Sequence, residues 1–195
     1  VAVSRKAAQA VGNRFWDEVA AEDVDFSLRV GKAGFKLFFQ PSAIVDHMHR
    51  ATPQQFYKQL YGYGYGHPLL IREHSKKVLE IYIDYFGGIS IPIPFPIPGI
   101  IYIGDWLLMH LLGLAFLITL IVSAFVGGII ANFTPLAVLF GLALFFTGKF
   151  FIPSFKVKPR AKLLTWMTIQ YMSKWNFIKG GLDSQKKFNA INLEG

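Results

Sequence analysis

From Val78 to Gly148 the chain passes through 71 residues without a single lysine or arginine, although its net charge is +8. An apolar tract lies inside this window. Just before the window runs a polar stretch, AEDVDFSLRVGKAGFKLFFQPSAIVDHMHR. The order implies a segment rich in reactive side chains joined to a membrane anchor. The 53% hydrophobic and 16% charged content fits such a division, with the apolar excess falling mainly after residue 80. Cysteine is absent, which excludes disulfides and thiolate metal sites.

Two stretches have the length a bilayer requires, about 20 residues for a core of about 30 Å. The first is Ile100–Phe125. The second is Ile129–Thr147, which contains Pro135, and Gly127-Gly128 offers the turn between them. Arg72, Lys76 and Lys77 precede the pair, while Lys149, Lys156, Lys158, Arg160 and Lys162 follow it. Basic residues at both outer ends predict a transmembrane hairpin over 100–148 with both termini cytoplasmic, in the cell membrane. Residues 149–195 read as a basic tail. In it Ala161–Ile178 mixes Trp166, Trp175 and Tyr171 with lysines and predicts an interfacial amphipathic helix. Residues 76–195 carry eleven basic and five acidic side chains, against nine and seven in residues 1–75. The surplus suits anionic lipid. No basic stripe with interleaved aromatics points to nucleic acid.

The connector 76–99 contains GISIPIPFPIPG, whose prolines at 92, 94, 96 and 98 forbid a regular helix. It is expected to be extended and to lie at the membrane interface or against protein, because bare extended backbone is not tolerated in lipid.

Residues 1–75 read as a compact α/β unit. Val1–Ser4 suits a short strand, Arg5–Val11 a helix stopped by Gly12. Asp23 is placed to cap a helix burying Val24, Leu28 and Val30 and ending near Gly34. Phe35–Phe39 and Ala43–Val45 suit short strands, and Thr52-Pro53 opens a helix through Leu60. The alternating Tyr61-Gly-Tyr-Gly-Tyr-Gly66 lacks dinucleotide-loop spacing and predicts close packing at Gly62 and Gly66, with tyrosines at headgroup level.

Glu22 and Asp23 are the candidate reactive pair. Adjacent carboxylates at a helix start ordinarily serve as caps. In a sugar-binding cleft, such a carboxylate takes the proton from an acceptor hydroxyl as it attacks an anomeric carbon. Gly12, Phe15, Glu22, Asp23, Asp25, Arg29, Ala33, Gly34, Pro41, Ala43, His47 and Tyr63-Gly64 occur in an order that resembles the acceptor-side half of family 2 glycosyltransferases, which have the GT-A fold. The resemblance covers about the first 75 residues, and the membrane segments fit that family's architecture. It implies a partial GT-A-like α/β domain, then an α-helical membrane hairpin and interfacial helix. By the same resemblance Asp23 is the catalytic base, Glu22 orients the acceptor or nearby backbone, and His47 approaches a metal–diphosphate. The reaction it implies is inverting transfer from a nucleotide-sugar donor, with a divalent cation (Mg2+ or Mn2+), to a lipid-linked or membrane-bound acceptor.

Other residues have plainer readings. Arg29 is expected to pair with Asp25 across one helical turn. His47 and His49 point to opposite faces of a strand and do not readily chelate one ion. Asp105 and His110, near the start of the first span, lie within reach of its interface. Relatives often carry arginine where Tyr63 or Tyr65 stands.

The family's N-terminal Asp-x-Asp metal motif is absent from these residues, since Asp23-Val-Asp25 has the spacing but belongs to the helix just described, and so is the Gln-x-x-Arg-Trp signature of processive synthases. With no initiator Met at Val1, the chain reads as the later portion of a longer protein, acting as a single-sugar transferase. The alternative is a non-catalytic membrane subunit packed with other membrane subunits in a larger complex.

Overall fold

The computed structural model describes residues 2–18, 20–46, 48, 50–76, 78–85, 88–126 and 133–194. The fold is mixed α/β, with six α-helices and a four-stranded sheet among the described residues. The helices are α1 (Arg5–Ala10), α2 (Glu22–Lys32), α3 (Pro53–His74), α4 (Asp105–Phe125), α5 (Phe133–Lys156) and α6 (Leu163–Phe188). The strands are β1 (Val78–Ile83), β2 (Ile89–Pro94), β3 (Gly99–Ile103) and β4 (Ile191–Glu194), in spatial order β2-β1-β3-β4. Two compact units result. One comprises Val1–Val78, Pro94–Gly99 and Asn176–Asn192; the other comprises Leu79–Ile93, Ile100–Trp175 and Leu193–Gly195.

In the first unit, the backbone N–H of Ala7 donates to Ser4 Oγ at 3.2 Å, so Ser4 caps α1 where a strand was expected. Gly12 (φ 81°) and Gly34 (φ 86°) take the left-handed conformation that ends a helix, as their positions predict. Asp23 does not cap α2: Ala21 holds that place, in a left-handed conformation with φ 69°. The buried stripe of α2 is also different from the one predicted. Val30 is buried, but Val24 and Leu28 are 45% and 38% exposed, and Phe26 is buried in their stead. Phe26 and Val30 lie four residues apart and pack on Ala7 of α1, with Phe35 alongside. Val24 and Leu28 form a rival stripe nearly opposite, and the aromatic stripe is the one that finds a partner.

Neither Phe35–Phe39 nor Ala43–Val45 forms a strand. Phe38, Phe39, Ile44 and Val45 are all more than four-fifths exposed. A strand exists only against a neighbour that completes its ladder, and among the described residues this segment has none.

Thr52 and Pro53 open α3 as expected, with the N–H of Gln55 donating to Thr52 Oγ1 at 3.3 Å. The helix then continues far past Leu60, through all of Tyr61–Gly66, to His74. Each glycine there costs about 1 kcal/mol of helix propensity relative to alanine. Backbone approach compensates. A β-carbon on Gly64 would collide with the carbonyl of Phe177 in α6, and one on Gly180 of α6 with the carbonyl of Tyr61. A β-carbon on Gly66 would come within 2.8 Å of the Ala20 carbonyl oxygen. Gly62 has nothing within 4 Å, so Gly64 takes the role predicted for it. The hydroxyl of Tyr61 donates to Asp183 at 3.0 Å on the same contact.

In the second unit, the first half of the proline-rich segment is extended as expected, but it pairs into a sheet as β2. Ser90 on β2 hydrogen-bonds Glu80 on β1, and Tyr82 on β1 stacks on Tyr102 of β3 with centroids 5.4 Å apart. These contacts put Glu80, Tyr82, Ser90 and Tyr102 on one face. Alternation then puts Leu79, Ile81 and Ile83 of β1, Ile89, Ile91 and Ile93 of β2, and Ile101 and Ile103 of β3 on the other. Burial and a hydrogen bond to Asp84 raise the pKa of the Tyr102 hydroxyl well above the usual tyrosine value.

The expected span Ile100–Phe125 loses its first residues to β3, and α4 begins at Asp105 after Gly104. Residues 127–132, which include the Gly127-Gly128 turn and the start of the second expected span, lie outside the described residues. Helix α5 continues to Lys156, so Lys149 lies within it instead of after it. There its ammonium meets Asp105 at 3.1 Å and sits 4.3 Å from the Tyr85 ring centroid. Pro135 falls in the first turn of α5, where a missing N–H breaks no helical bond. Both α4 and α5 are long and apolar enough to cross a membrane, at 21 and 24 residues with mean hydropathies of 2.4 and 1.9. His110 is satisfied locally: one ring nitrogen is 2.7 Å from the Trp106 carbonyl and the other 3.0 Å from the Tyr171 hydroxyl. Helix α6 extends ten residues beyond the Ile178 at which the interfacial helix was expected to end.

The glycine contacts make a testable contrast. Gly64→Ala and Gly180→Ala should each lower stability by about 1–3 kcal/mol through overpacking. Gly62→Ala should be neutral or stabilising by up to about 1 kcal/mol. Thermal melting of the three variants in detergent checks this, and an equal loss in all three would contradict the packing described.

Candidate active site

Helix α2 presents two kinds of carboxylate. Glu22 and Asp23 occupy its first turn and are exposed, whereas Asp25, two residues on, is only 4% exposed. The periodicity of the helix separates them: Asp25 lies next to Phe26 on the side that packs inward.

Asp25 is held on both oxygens. Arg29 Nε donates to Oδ2 at 2.8 Å, the one-turn pairing expected from the sequence. His74 Nε2, at the end of α3, lies 2.8 Å from Oδ1. The guanidinium of Arg29 reaches further, donating to the carbonyls of Val11 at 2.8 Å and Arg14 at 2.6 Å. One buried acid therefore ties α2 to the loop after α1 and to the far end of α3. The second ring nitrogen of His74 is buried without a hydrogen-bond partner.

Asp23 has lighter ties. Its Oδ1 accepts from the N–H of Val24 at 2.8 Å, and its carbonyl accepts from Ser27 Oγ at 2.8 Å. No basic side chain among the described residues forms an ion pair with Asp23 or Glu22, and both stand open to solvent.

Beside the network lies a cleft of about 530 Å³, with Asp25 and Arg29 in its wall and Arg14, Phe15, Trp16, Asp17 and Glu18 around it. Phe15 stacks on Phe26 at 4.5 Å, and Arg14 pairs with Asp17 at 2.5 Å. Lys187 reaches Glu18 at 2.8 Å. An aromatic wall with several carboxylates is the kind of surface that binds polyhydroxylated ligands, by stacking on their apolar faces and accepting from their hydroxyls. Glu22 and Asp23 do not line this cleft.

Of the residues singled out in the sequence, the structure brings Asp25 and Arg29 together and leaves Glu22 and Asp23 on the exposed end of the same helix. His47, the candidate metal ligand, and His49 lie outside the described residues. Among the described residues no three histidine, aspartate or glutamate side chains gather as a metal site. Sequence reasoning missed His74. It lies 49 residues from Asp25, and no local pattern connects them.

The family model described as glycosyl transferase family group 2 matches residues 1–175. A dolichyl N-acetyl-alpha-D-glucosaminyl phosphate 3-beta-D-2,3-diacetamido-2,3-dideoxy-beta-D-glucuronosyltransferase of Methanococcus voltae is 30% identical over 66 residues. That overlap is 34% of this chain and 21% of the relative, so the chain spans about a fifth of that enzyme's length. No solved structure matches the chain. The family match takes in α1 through the first half of α6, with the Glu22-Asp23 turn and the buried Asp25 network inside it, and the chain belongs to glycosyl transferase family group 2.

Proposed function

We propose that this chain is the acceptor-side and membrane part of an inverting glycosyltransferase that moves one sugar from a nucleotide-sugar donor to a lipid-linked acceptor. The observation that carries the proposal is the exposed Glu22-Asp23 turn on a helix locked in place by the buried Asp25. Family membership supports sugar transfer, and the relative's name, which places a dolichyl phosphate in its acceptor, supports a lipid-linked one.

In this reading Asp23 is the general base. Its carboxylate takes the proton from an acceptor hydroxyl as that oxygen attacks the anomeric carbon. The leaving diphosphate departs from the opposite face, which inverts the configuration. Glu22 orients the acceptor or the neighbouring backbone. Arg29 and His74 fix the roll of α2 through Asp25, so Asp23 is presented with little freedom. A divalent cation belongs to the proposal through His47 alone, and no step is assigned to it.

Helices α4 and α5 form the membrane anchor. Arg72 and Lys76 before them and the basic run 156–162 after them favour cytoplasmic ends, which puts the Glu22-Asp23 turn on the cytoplasmic side.

Two substitutions separate chemistry from architecture. Asp23→Asn in the native full-length protein should cut transfer about 10²–10⁴-fold and leave the melting temperature unchanged. The assay follows radiolabelled sugar from a panel of nucleotide sugars into organic-extractable lipid in isolated membranes. Undiminished transfer by Asp23→Asn would remove Asp23 from the mechanism. Asp25→Ala strands Arg29 and His74 and should cost about 3–5 kcal/mol of stability. Loss of activity in Asp25→Ala without loss of stability would contradict its architectural role.

A further inference from the structure

We infer that the sheet formed by β1, β2 and β3 is itself a lipid-contacting element, lying with its aliphatic face on the membrane interface beside the anchor helices. The inference rests on the membrane reading of α4 and α5 and extends it to a β-structure that has no helical span.

The two faces of this sheet differ in chemistry. One carries only leucine and isoleucine, and none of its eight side chains is buried. Along β2, Ile89, Ile91 and Ile93 are 42%, 44% and 38% exposed. The opposite face carries Glu80, Ser90 and the stacked Tyr82 and Tyr102, together with Pro92, Pro94 and Ile100. Amphipathic tyrosine beside a carboxylate suits the water side of a membrane interface. A clean aliphatic face suits the acyl side.

Three observations favour lipid over protein as the occupant. Strand β2 is outermost in the sheet, and Pro92 and Pro94, two residues apart, fall on the same edge of it. Within a sheet proline is confined to edge strands, where its missing N–H falls on the open side and weakens pairing with another strand. Strand β3 enters α4 through Gly104 alone, so the aliphatic face begins one residue from the first anchor helix. Finally, β1, β2 and β3 carry no lysine or arginine, so the sheet brings no cation that would need lifting out of the interface. The ladder bonds between β1, β2 and β3 reduce the open backbone that would otherwise bar an extended segment from an apolar surface.

The absence of cysteine makes the test direct, since any introduced thiol is unique. Single variants Ile91→Cys, Ile93→Cys, Ser90→Cys and, as an anchor control, Leu114→Cys are labelled with bimane. Leu114 is 55% exposed on α4. The chain is reconstituted in phosphatidylcholine vesicles containing some phosphatidylglycerol, and quenching by doxyl lipid is compared with quenching by aqueous iodide. The expected result is several-fold stronger lipid quenching at Ile91 and Ile93 than at Ser90, with iodide showing the reverse order. Lipid quenching at Leu114 but not at Ile91 or Ile93 overturns the sheet inference and leaves the anchor standing. No lipid quenching at Leu114 overturns the anchor reading, and this inference with it. Shielding of Ile91 and Ile93 from both quenchers identifies a protein occupant and likewise overturns it. Ile93 provides a second position should Ile91→Cys fail to fold.

Discussion

A carboxylate withdrawn from water is tolerable only when its charge is answered and its lone pairs are filled. Asp25 meets both conditions with two partners that come from different places in the chain. Arg29 arrives from one turn along the same helix, and His74 from the end of α3. Because the guanidinium also binds the carbonyls of Val11 and Arg14, the acid fixes the loop after α1 as well. An ionised carboxylate only accepts, so His74 donates to it through Nε2. The reactive-looking carboxylates two and three residues upstream gain their position from this arrangement. They are free to meet solvent and substrate because the third carboxylate of the motif does the holding.

How much of this was legible follows from the range of each interaction. Asp25 and Arg29 are four residues apart, and the pairing can be read directly from the string. The caps at Thr52 and Gly34 are equally local and were equally readable. His74 was not, since the loop and helix between it and Asp25 leave no periodic trace. For the same reason α3 was expected to stop at Leu60, before its glycine-rich run, although the close packing expected at Gly66 is present. Three glycines in six residues look like a break, and they remain helical because the backbone of α6, more than a hundred residues later, comes close enough to exclude side chains at Gly64. Local propensity points one way there and tertiary contact the other, and contact prevails.

The strands divide on a different principle. Phe35–Phe39 and Ala43–Val45 have strand-like composition and form none, whereas the proline-laden segment, which looked merely extended, pairs with β1. A strand depends on a partner at the right edge more than on its own composition. Ile89–Pro94 has one in β1, which ends six positions upstream at Ile83. The family resemblance was legible because it depends on the order of residues. The identity of the buried stripe of α2 was not, since Val24 with Leu28 and Phe26 with Val30 satisfy the same helical spacing.

In the window from Val78 to Gly148 the membrane hairpin was expected from Ile100 onward, and the stretch before it, read as an extended connector, belongs to a sheet. The two readings are compatible if one asks what an apolar edge strand must avoid. An exposed, flat, aliphatic edge is a template for pairing with other chains, and natural sheets blunt such edges with charge or proline. Charge is poorly suited to a surface meant for lipid, because an ionised side chain there must be desolvated or drawn aside. Proline removes the donor without adding polarity. Alternating proline with isoleucine thus resolves two opposed demands in a single strand. The isoleucines keep one face apolar, and the prolines disarm the edge. A soluble sheet has lysine available for the same purpose; β1, β2 and β3 carry none, and proline stands at the outermost strand instead.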